Sequence, residues 1–275
     1  MPFYDHDLHI HSYISPCASD EERAKQTVDR ILQYAKENSL HTICVADHFW
    51  DEDVPAPFPP QYTDLYSFQT ISSIRPLPQK ENIRFLFGCE TEIHHDGRIS
   101  ISEERIKEFD FIIVPTTHFH NGYALSPEEA AAGSKGRATA WVKRFEDLLN
   151  SNLPFHKVGV AHLTTALVAP YMEMLKEVFS LIPEKEMERL FKRSAELGLG
   201  IELNTDGMGY DEDQAELLFR PYEIAKECGC KFYCGSDAHR PFILDRAKKI
   251  LEKGIERLNL TDKDKFNIYG LGARK

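Results

Sequence analysis

Residues 4–12 read YDHDLHIHS, a short run in which apolar and polar side chains alternate and which ends at two histidines. A helix-like segment follows it, and the same order of apolar run and helical periodicity recurs through the chain. The other apolar runs are 42–46, 83–89, 109–115, 157–161, 200–203 and 231–235. The helix-like segments are 20–38, 63–74, 137–150, 171–197, 212–228 and 241–254. Seven strands alternating with helices predict a parallel sheet of the α/β class, which we expect to close into a barrel; a doubly wound open sheet is the alternative.

Metal-capable side chains stand at the end of every predicted strand. In chain order they are His9 and His11, His48, Glu90, His118 and His120, His162, Glu202 and Asn204, and Asp237 and His239. The carboxyl ends of parallel barrel strands converge on one face, where active sites of this architecture lie. The pattern therefore predicts one site built from all seven strands.

The spacing within the first and last runs adds to this prediction. Residues i and i+2 of a strand point the same way, so His9 and His11 face one site together, as do Asp237 and His239. Asp7 lies lower on the same face, and we expect it to orient an imidazole without binding a metal itself. Imidazole and carboxylate ligands without thiolate suit Zn, Mn or Fe.

About eight ligands exceed the need of one tetrahedral ion, so we expect a cluster of two or three ions with Glu90 as the bridge. Such a cluster generates hydroxide from water near neutral pH, neutralises phosphoryl oxygens and stabilises the leaving oxygen. A serine or cysteine nucleophile is then unnecessary, and the sequence has no GxSxG motif.

Composition limits the other function classes. The 275 residues carry a formal net charge of −11, which argues against a protein whose main task is to bind nucleic acid. No apolar run is long enough for a membrane span and no signal peptide is recognisable, so we expect a cytoplasmic protein with reduced cysteines. The three cysteines at 228, 230 and 234 lack a fourth partner for a zinc site. The stretches 50–62 and 116–136 are interpreted as long loops at the active-site face of a single domain, 1–275.

The segments DLHIHS, VADH, GCETE, TTHFH, VAHLT, IELN and GSDAHRP, in this order over nearly the whole chain, resemble the PHP (polymerase and histidinol phosphatase) superfamily. The resemblance implies a distorted (β/α)7 TIM-like barrel with a metal cluster at the strand ends. It implies that His9, His11 and Asp237 bind one ion, that His118 and His162 bind a second, and that Glu90 bridges. It places His48 and His239 at a third ion.

One position departs from the family pattern. Many members have another histidine where this chain has Cys17, so the third ion site is open to three interpretations. Cys17 could supply a thiolate, Asp20 could swing in, or the site could be weak. Asp20 also fits the start of a helix, as an N-cap followed by two glutamates.

The last set of predictions concerns the reaction and the substrate. We expect a metal-dependent phosphatase acting on a small phosphorylated substrate, with histidinol phosphate as the most probable named substrate and Glu90, Asp237 and His239 as catalytic residues. Candidate substrate contacts are Arg240, Lys135, Arg137 and Arg98, and His120 is either a substrate contact or an alternative metal ligand. Three alternatives stay open: a nucleotide or short-oligonucleotide phosphoesterase, an amidohydrolase-type C–N hydrolase, and a metal-containing binding module without turnover.

Overall fold

Seven parallel strands follow one another around the centre of the molecule in chain order, and an eighth strand of two residues pairs beside them. The computed structural model describes residues 2–55, 64–80 and 82–272. The strands are β1 (His6–Ile10), β2 (Thr42–Val45), β3 (His48–Phe49), β4 (Arg84–Thr91), β5 (Phe111–Pro115), β6 (Val158–Ala161), β7 (Gly200–Asn204) and β8 (Lys231–Gly235). Only the short β3 was not predicted; it pairs with β4 so that His48 lies opposite Glu90.

The first and last strands meet and nearly close the sheet. The amide of Asp237 donates to the carbonyl of His9 at 2.7 Å, and the amide of His11 donates to the carbonyl of Ala238 at 3.1 Å. The Asp7 carboxylate accepts from the amide of Ser236 at 3.0 Å across the same seam. These contacts confirm the α/β barrel and exclude the open-sheet alternative.

Apolar side chains fill the inside of the barrel below the strand ends. Leu8, Leu86, Phe111 and Tyr233 are buried there, and the C-terminal segment seals this end with Phe266. The Tyr233 ring occupies the space that a side chain at position 159 would need, since a Cβ there would lie 2.4 Å from a ring carbon. Gly159 is therefore required by packing, and the filled interior leaves the opposite end of the barrel free for a site.

Helices cover the outside of the barrel, and their apolar faces form the second and larger layer of the core. They are Asp20–Arg23, Val28–Glu37, Phe68–Ser72, Glu103–Ile106, Pro127–Ala131, Gly133–Leu149, Met172–Leu181, Glu184–Leu197, Thr205–Met208, Glu212–Glu227 and Pro241–Arg257. Short 3-10 turns occur at Phe155–Lys157, Asp262–Asp264 and Ile268–Gly270.

Several predicted segments differ in the structure. The helix expected over 20–38 is two helices, Asp20–Arg23 and Val28–Glu37, and the one expected over 63–74 spans Phe68–Ser72 in the described residues. The helix expected over 171–197 is two helices, because Pro183 cannot continue the first one and instead precedes the second. The loop expected over 116–136 ends in helix, since Ser126 forms a capping box with Glu129 and the long helix already begins at Gly133. The other loop, 50–62, is described only as far as residue 55.

None of the helices in the described residues is both long enough and apolar enough to cross a membrane.

Candidate metal centre

The strand-end side chains converge on Glu90, which β4 places at the middle of the open end of the barrel. One of its oxygens, Oε2, lies 2.9 Å from His48 Nδ1, 3.4 Å from His11 Nε2 and 3.6 Å from His9 Nε2. The carboxylate is 1 % exposed, so these imidazoles surround it in place of water.

The second oxygen of the same carboxylate faces a different pair of histidines. Glu90 Oε1 lies 2.9 Å from His162 Nε2 and 3.6 Å from His118 Nε2, and the two rings are stacked with centroids 4.9 Å apart. Each carboxylate oxygen therefore has its own set of imidazoles. This is the arrangement that a bridging carboxylate needs to hold two cations side by side.

Asp237 and His239 join this centre from the end of β8. Asp237 Oδ1 lies 3.1 Å from His11 Nε2 and 3.5 Å from His9 Nε2. The His239 ring stacks on that of His11 with centroids 3.8 Å apart. All eight predicted ligands are thus brought together. Seven of them form three groups whose ligand atoms lie within 4.8 Å of one another: His9, His11 and Glu90; Glu90, His118 and His162; His11, His48 and His239. The eighth, Asp237, joins them through its contacts with His9 and His11.

The donor set fits divalent cations. Among the buried polar atoms of the described residues that have no hydrogen-bond partner are His48 Nδ1, Glu90 Oε2, Asp237 Oδ1 and His239 Nε2. His48 Nδ1 and Glu90 Oε2, for example, lie 2.9 Å apart, yet the angles at these atoms are not those of a hydrogen bond. Buried polar atoms nearly always have partners, so a cluster of such orphans is accounted for by ligands that face a shared cation.

Three further side chains fix the orientation of the imidazoles. Glu202 Oε1 lies 2.6 Å from His9 Nδ1, Glu92 Oε1 lies 2.8 Å from His118 Nδ1, and Thr117 Oγ1 lies 2.9 Å from His162 Nδ1. Each contact engages Nδ1 and leaves Nε2 pointing at the centre, as the outer partners of metal-binding histidines do. Neither Glu92 nor Thr117 was predicted from the sequence, although Glu92 alternates with Glu90 and so faces the same side of the sheet.

Asp7 does not have the predicted role of orienting an imidazole. Its carboxylate accepts from the amides of His9 and Ser236 and from the Tyr34 hydroxyl, at 3.2, 3.0 and 2.9 Å. The side chain points into the seam between β1 and β8, so it holds the backbone that carries the ligands.

The backbone is constrained at two of the predicted ligands. His162 and Asp237 have φ angles of 37° and 53°, in the left-handed region that side chains other than glycine rarely adopt. Gly235 is required nearby, because a Cβ there would lie 2.0 Å from Glu202 Oε1. Strain of this kind collects at functional sites, where the surrounding structure holds it in place.

The carboxylates and imidazoles of this cluster shift one another's pKa values in opposite directions. Burial works to lower the pKa of His9, but the carboxylates of Glu202, Asp237 and Glu90 outweigh it and raise that pKa well above its usual value. Burial would raise the pKa of Glu90, but the surrounding histidines hold it well below the usual value. The carboxylates thus favour positive charge at this position, and a metal ion that binds an imidazole nitrogen competes with a proton for it.

A cavity of about 590 Å³ opens above the centre. One part of its wall is aromatic, from Trp50, Tyr66 and Tyr123, and the rings of Trp50 and Tyr66 lie 4.4 Å apart. Asp206, from the short helix Thr205–Met208 after β7, lies in another part of the wall. The cavity is large enough for a small organic molecule that reaches the centre.

The predicted substrate contacts separate into two groups. Arg240 and His120 line the cavity, and Arg240 Nε is 3.2 Å from Glu22 Oε2. Lys135 and Arg137 are not at the cavity, because their segment is helical and turns them elsewhere. Lys135 lines a groove on the outer surface, and Arg137 donates to the Val168 carbonyl at 2.6 Å.

Arg98 is also engaged elsewhere. Its guanidinium bonds Asp96 at 2.8 Å and the Pro55 carbonyl at 2.7 Å, and it does not line the cavity.

Cys17 and Asp20 have clearly different surroundings. Cys17 is an exposed residue that lines the cavity, and the nearby imidazoles of His48 and His239 lower the pKa of its thiol. Asp20 is 94 % exposed and pairs with Arg23, while the helix cap is Ser19 and not Asp20. The structure therefore leaves Cys17, and not Asp20, in reach of the third group of ligands.

The other cysteine cluster belongs to the packing of the fold. Cys230 is buried with its thiol 3.1 Å from the Phe191 carbonyl, and Cys228 lies 3.8 Å from the Glu188 carbonyl. Cys234 is buried within β8.

Proteins similar in sequence cover nearly the whole chain, although no family model matches it. A probable phosphatase from Acetivibrio thermocellus is 24% identical over 274 residues, which are 96% of this chain and 93% of that protein. A probable phosphatase from Thermoanaerobacter sp. strain X514 is 23% identical over 259 residues, 93% of this chain and 87% of that protein.

A solved structure shares the architecture. The histidinol phosphate phosphatase from Lactococcus lactis, crystallised with zinc, L-histidinol and phosphate, matches with a TM-score of 0.52 at 17% sequence identity. The match covers 91% of this chain and 93% of the other, which agrees with the barrel described above.

Proposed function

We propose that this chain is a metal-dependent phosphatase of the PHP superfamily that hydrolyses a small phosphomonoester. The observation that carries the proposal is Glu90, whose two oxygens face separate sets of imidazoles at the floor of the cavity. The similarity to probable phosphatases over almost the full chain supports the same reaction class. The reaction is a hydrolysis. We propose that the protein acts in the cytoplasm, as expected from the sequence.

Divalent ions at such a centre supply Lewis-acid activation of water and neutralise the charge of phosphoryl oxygens. The side chains of this protein supply the geometry. His9, His11 and Asp237 would hold one ion, His118 and His162 a second, and Glu90 would fix the distance between them. Glu202 keeps Nδ1 of His9 engaged, so that Nε2 stays directed at the centre.

Arg240 is the phosphate contact that we propose on the protein side. It stands at the cavity wall as the residue before Pro241, directly after the β8 ligands. A guanidinium there can donate two bonds to a phosphoryl oxygen pair that the ions leave free.

We further propose a third ion at His11, His48 and His239, with the Cys17 thiolate as the additional ligand. Metal binding should then protect Cys17 from alkylation by iodoacetamide, as peptide mass spectrometry would show, while Cys228 should react equally with and without metal. Cys17→Ser should lower the metal content by about one ion per chain. Equal labelling of Cys17 in the metal-loaded and metal-free protein would show that its thiolate does not bind the third ion.

Histidinol phosphate is our first candidate substrate, and the test is a panel of phosphate esters with the protein loaded separately with Zn, Mn and Fe. The panel includes histidinol phosphate, nucleoside monophosphates, short oligonucleotides and an amide substrate. Turnover of small phosphomonoesters above all others is the expected result. Preference for oligonucleotides or for the amide would contradict the proposal, and metal binding with no turnover of any ester would indicate a binding module.

A further inference from the structure

The cavity wall contains an acidic group that the metal centre does not use. Among the carboxylates that line the cavity, Glu90 and Asp237 belong to the centre and Glu92 bonds His118. Asp206 differs from these three, because its side chain makes no hydrogen bond or ion pair with any described residue. Its backbone amide, in contrast, is held by Asn204 Oδ1 at 2.9 Å.

The position of Asp206 is fixed by the fold. It lies on the helix Thr205–Met208, which begins directly at the end of β7 with Asn204 as its N-cap. The Asn204 side chain donates to Glu202, which in turn orients His9. Asp206 is therefore held on the same rigid strand end as a residue that supports the metal centre.

No free cation balances this carboxylate in the described wall of the cavity. Arg240 is the sole lysine or arginine among the described lining residues; its Nε lies 3.2 Å from Glu22 Oε2, and the proposed function assigns its other donors to the phosphate. The undescribed segment 56–63, APFPPQYT, contains no lysine or arginine that could supply a charge. Beyond the metal centre, the cavity thus presents a negative charge to whatever enters it.

The rest of the wall is suited to a cation as well. Trp50 and Tyr66 follow β3 and Tyr123 follows β5, whereas Asp206 follows β7 further around the sheet. Faces of aromatic rings attract ammonium groups, and a carboxylate with no counter-ion gains from pairing with one. A second anionic group in this space would meet Asp206 without compensation, which disfavours nucleoside diphosphates and oligonucleotides.

We infer that Asp206 is a specificity-determining residue that binds a protonated amine on the part of the substrate remote from the phosphate. The inference rests on the proposed phosphatase function and narrows its substrates to phosphomonoesters of amino alcohols. Asp206 recognises the organic part of the ester, while the centre at Glu90 acts on the phosphoryl group.

Three synthetic esters of similar size isolate this effect: 4-aminobutyl phosphate, butyl phosphate and 3-carboxypropyl phosphate. The metal-loaded full chain should show kcat/KM values that fall in this order. Asp206→Asn should lower the ratio of the amino to the neutral ester by roughly tenfold, the value of one charged contact. Asp206→Lys should reverse the order of the two charged esters. Asp213→Asn, at an exposed carboxylate on the neighbouring helix, serves as the matched control and should leave all ratios unchanged.

Binding of the corresponding phosphonates, measured by calorimetry at equal metal content, gives a readout that is independent of turnover. The affinity ratio of the amino to the neutral phosphonate should fall in Asp206→Asn as the kinetic ratio does. Wild-type protein that does not prefer the amine, or a preference that survives in Asp206→Asn, would overturn the inference while the phosphatase function stands. Absence of turnover for all three esters would instead refute the proposed function.

Discussion

Replacing Glu202 with glutamine tests how the centre is held. The buried carboxylate accepts from three donors. They are His9 Nδ1 at 2.6 Å, the backbone amide of His162 at 2.8 Å and the side-chain amide of Asn204 at 3.1 Å. Glutamine keeps the shape but has one acceptor oxygen. Whichever way its amide turns, an NH2 group faces either the His9 imidazole or the His162 backbone, both of which are donors.

The expected loss follows from this mismatch. An unsatisfied buried donor costs about 1–3 kcal/mol, and loss of an outer partner of a metal ligand typically lowers metal affinity by about 10- to 100-fold. That range corresponds to about 1.4–2.8 kcal/mol at one factor of ten per 1.4 kcal/mol, so the two estimates agree. We therefore expect Glu202→Gln to bind metal about 10- to 100-fold more weakly at pH 7.

The assay is competition against a chelator of known affinity, with circular dichroism to show that the fold is intact. Glu92→Gln is the matched control, since Glu92 supports His118 and so should weaken a different ion. Unchanged metal affinity in a folded Glu202→Gln protein would refute the reasoning that this carboxylate directs His9 at a cation.

Three further predictions concern other parts of the molecule. Glu90→Gln should remove at least one ion per chain and most of the turnover while the melting temperature of the metal-free protein changes little; normal metal content by mass spectrometry would exclude the bridge. Arg240→Ala should lower kcat/KM on a phosphomonoester by about 10- to 150-fold, because a charged hydrogen bond to phosphate contributes about 1.5–3 kcal/mol and each factor of ten corresponds to 1.36 kcal/mol. An equal loss in Glu22→Gln would instead show that Arg240 acts through its ion pair with Glu22. Asp5 has its pKa lowered to about 2 although burial opposes the shift, because His6 and Lys265 bond its carboxylate. Its stabilising effect is therefore present above the unfolded pKa of about 4 and is lost as the pH falls through about 2, so Asp5→Asn should cost about 2 kcal/mol in urea unfolding at pH 7 and much less near pH 2.

The strands and the centre were predictable because each rests on a local pattern. Apolar runs mark the strands, and a histidine or carboxylate at the end of each run reaches the same face once the sheet closes. Glu90 could be named as the bridge from the sequence, but the division of its two oxygens between two sets of imidazoles is visible only in the structure.

The misjudged residues depended on features that no local pattern contains. Lys135 was expected on a loop, directly before the helix predicted from residue 137, because its segment is rich in glycine and alanine, yet in the structure the helix already begins at Gly133. Asp206 was not predicted as a site residue, because its place in the cavity wall depends on residues that follow other strands. Cys17 was noted from the sequence as a departure from the family pattern, and only the fold shows that it lies near His48 and His239.

The seam between β1 and β8 has a consequence for how the protein is made. His9 and His11 leave the ribosome first, whereas Asp237 and His239 follow more than two hundred residues later. Contacts so distant in the chain are slow to form, because a long loop must close before they stabilise anything. A growing chain therefore carries six of the eight predicted ligands before its last strand is made, and Asp237 and His239 can join them only when β8 has paired with β1.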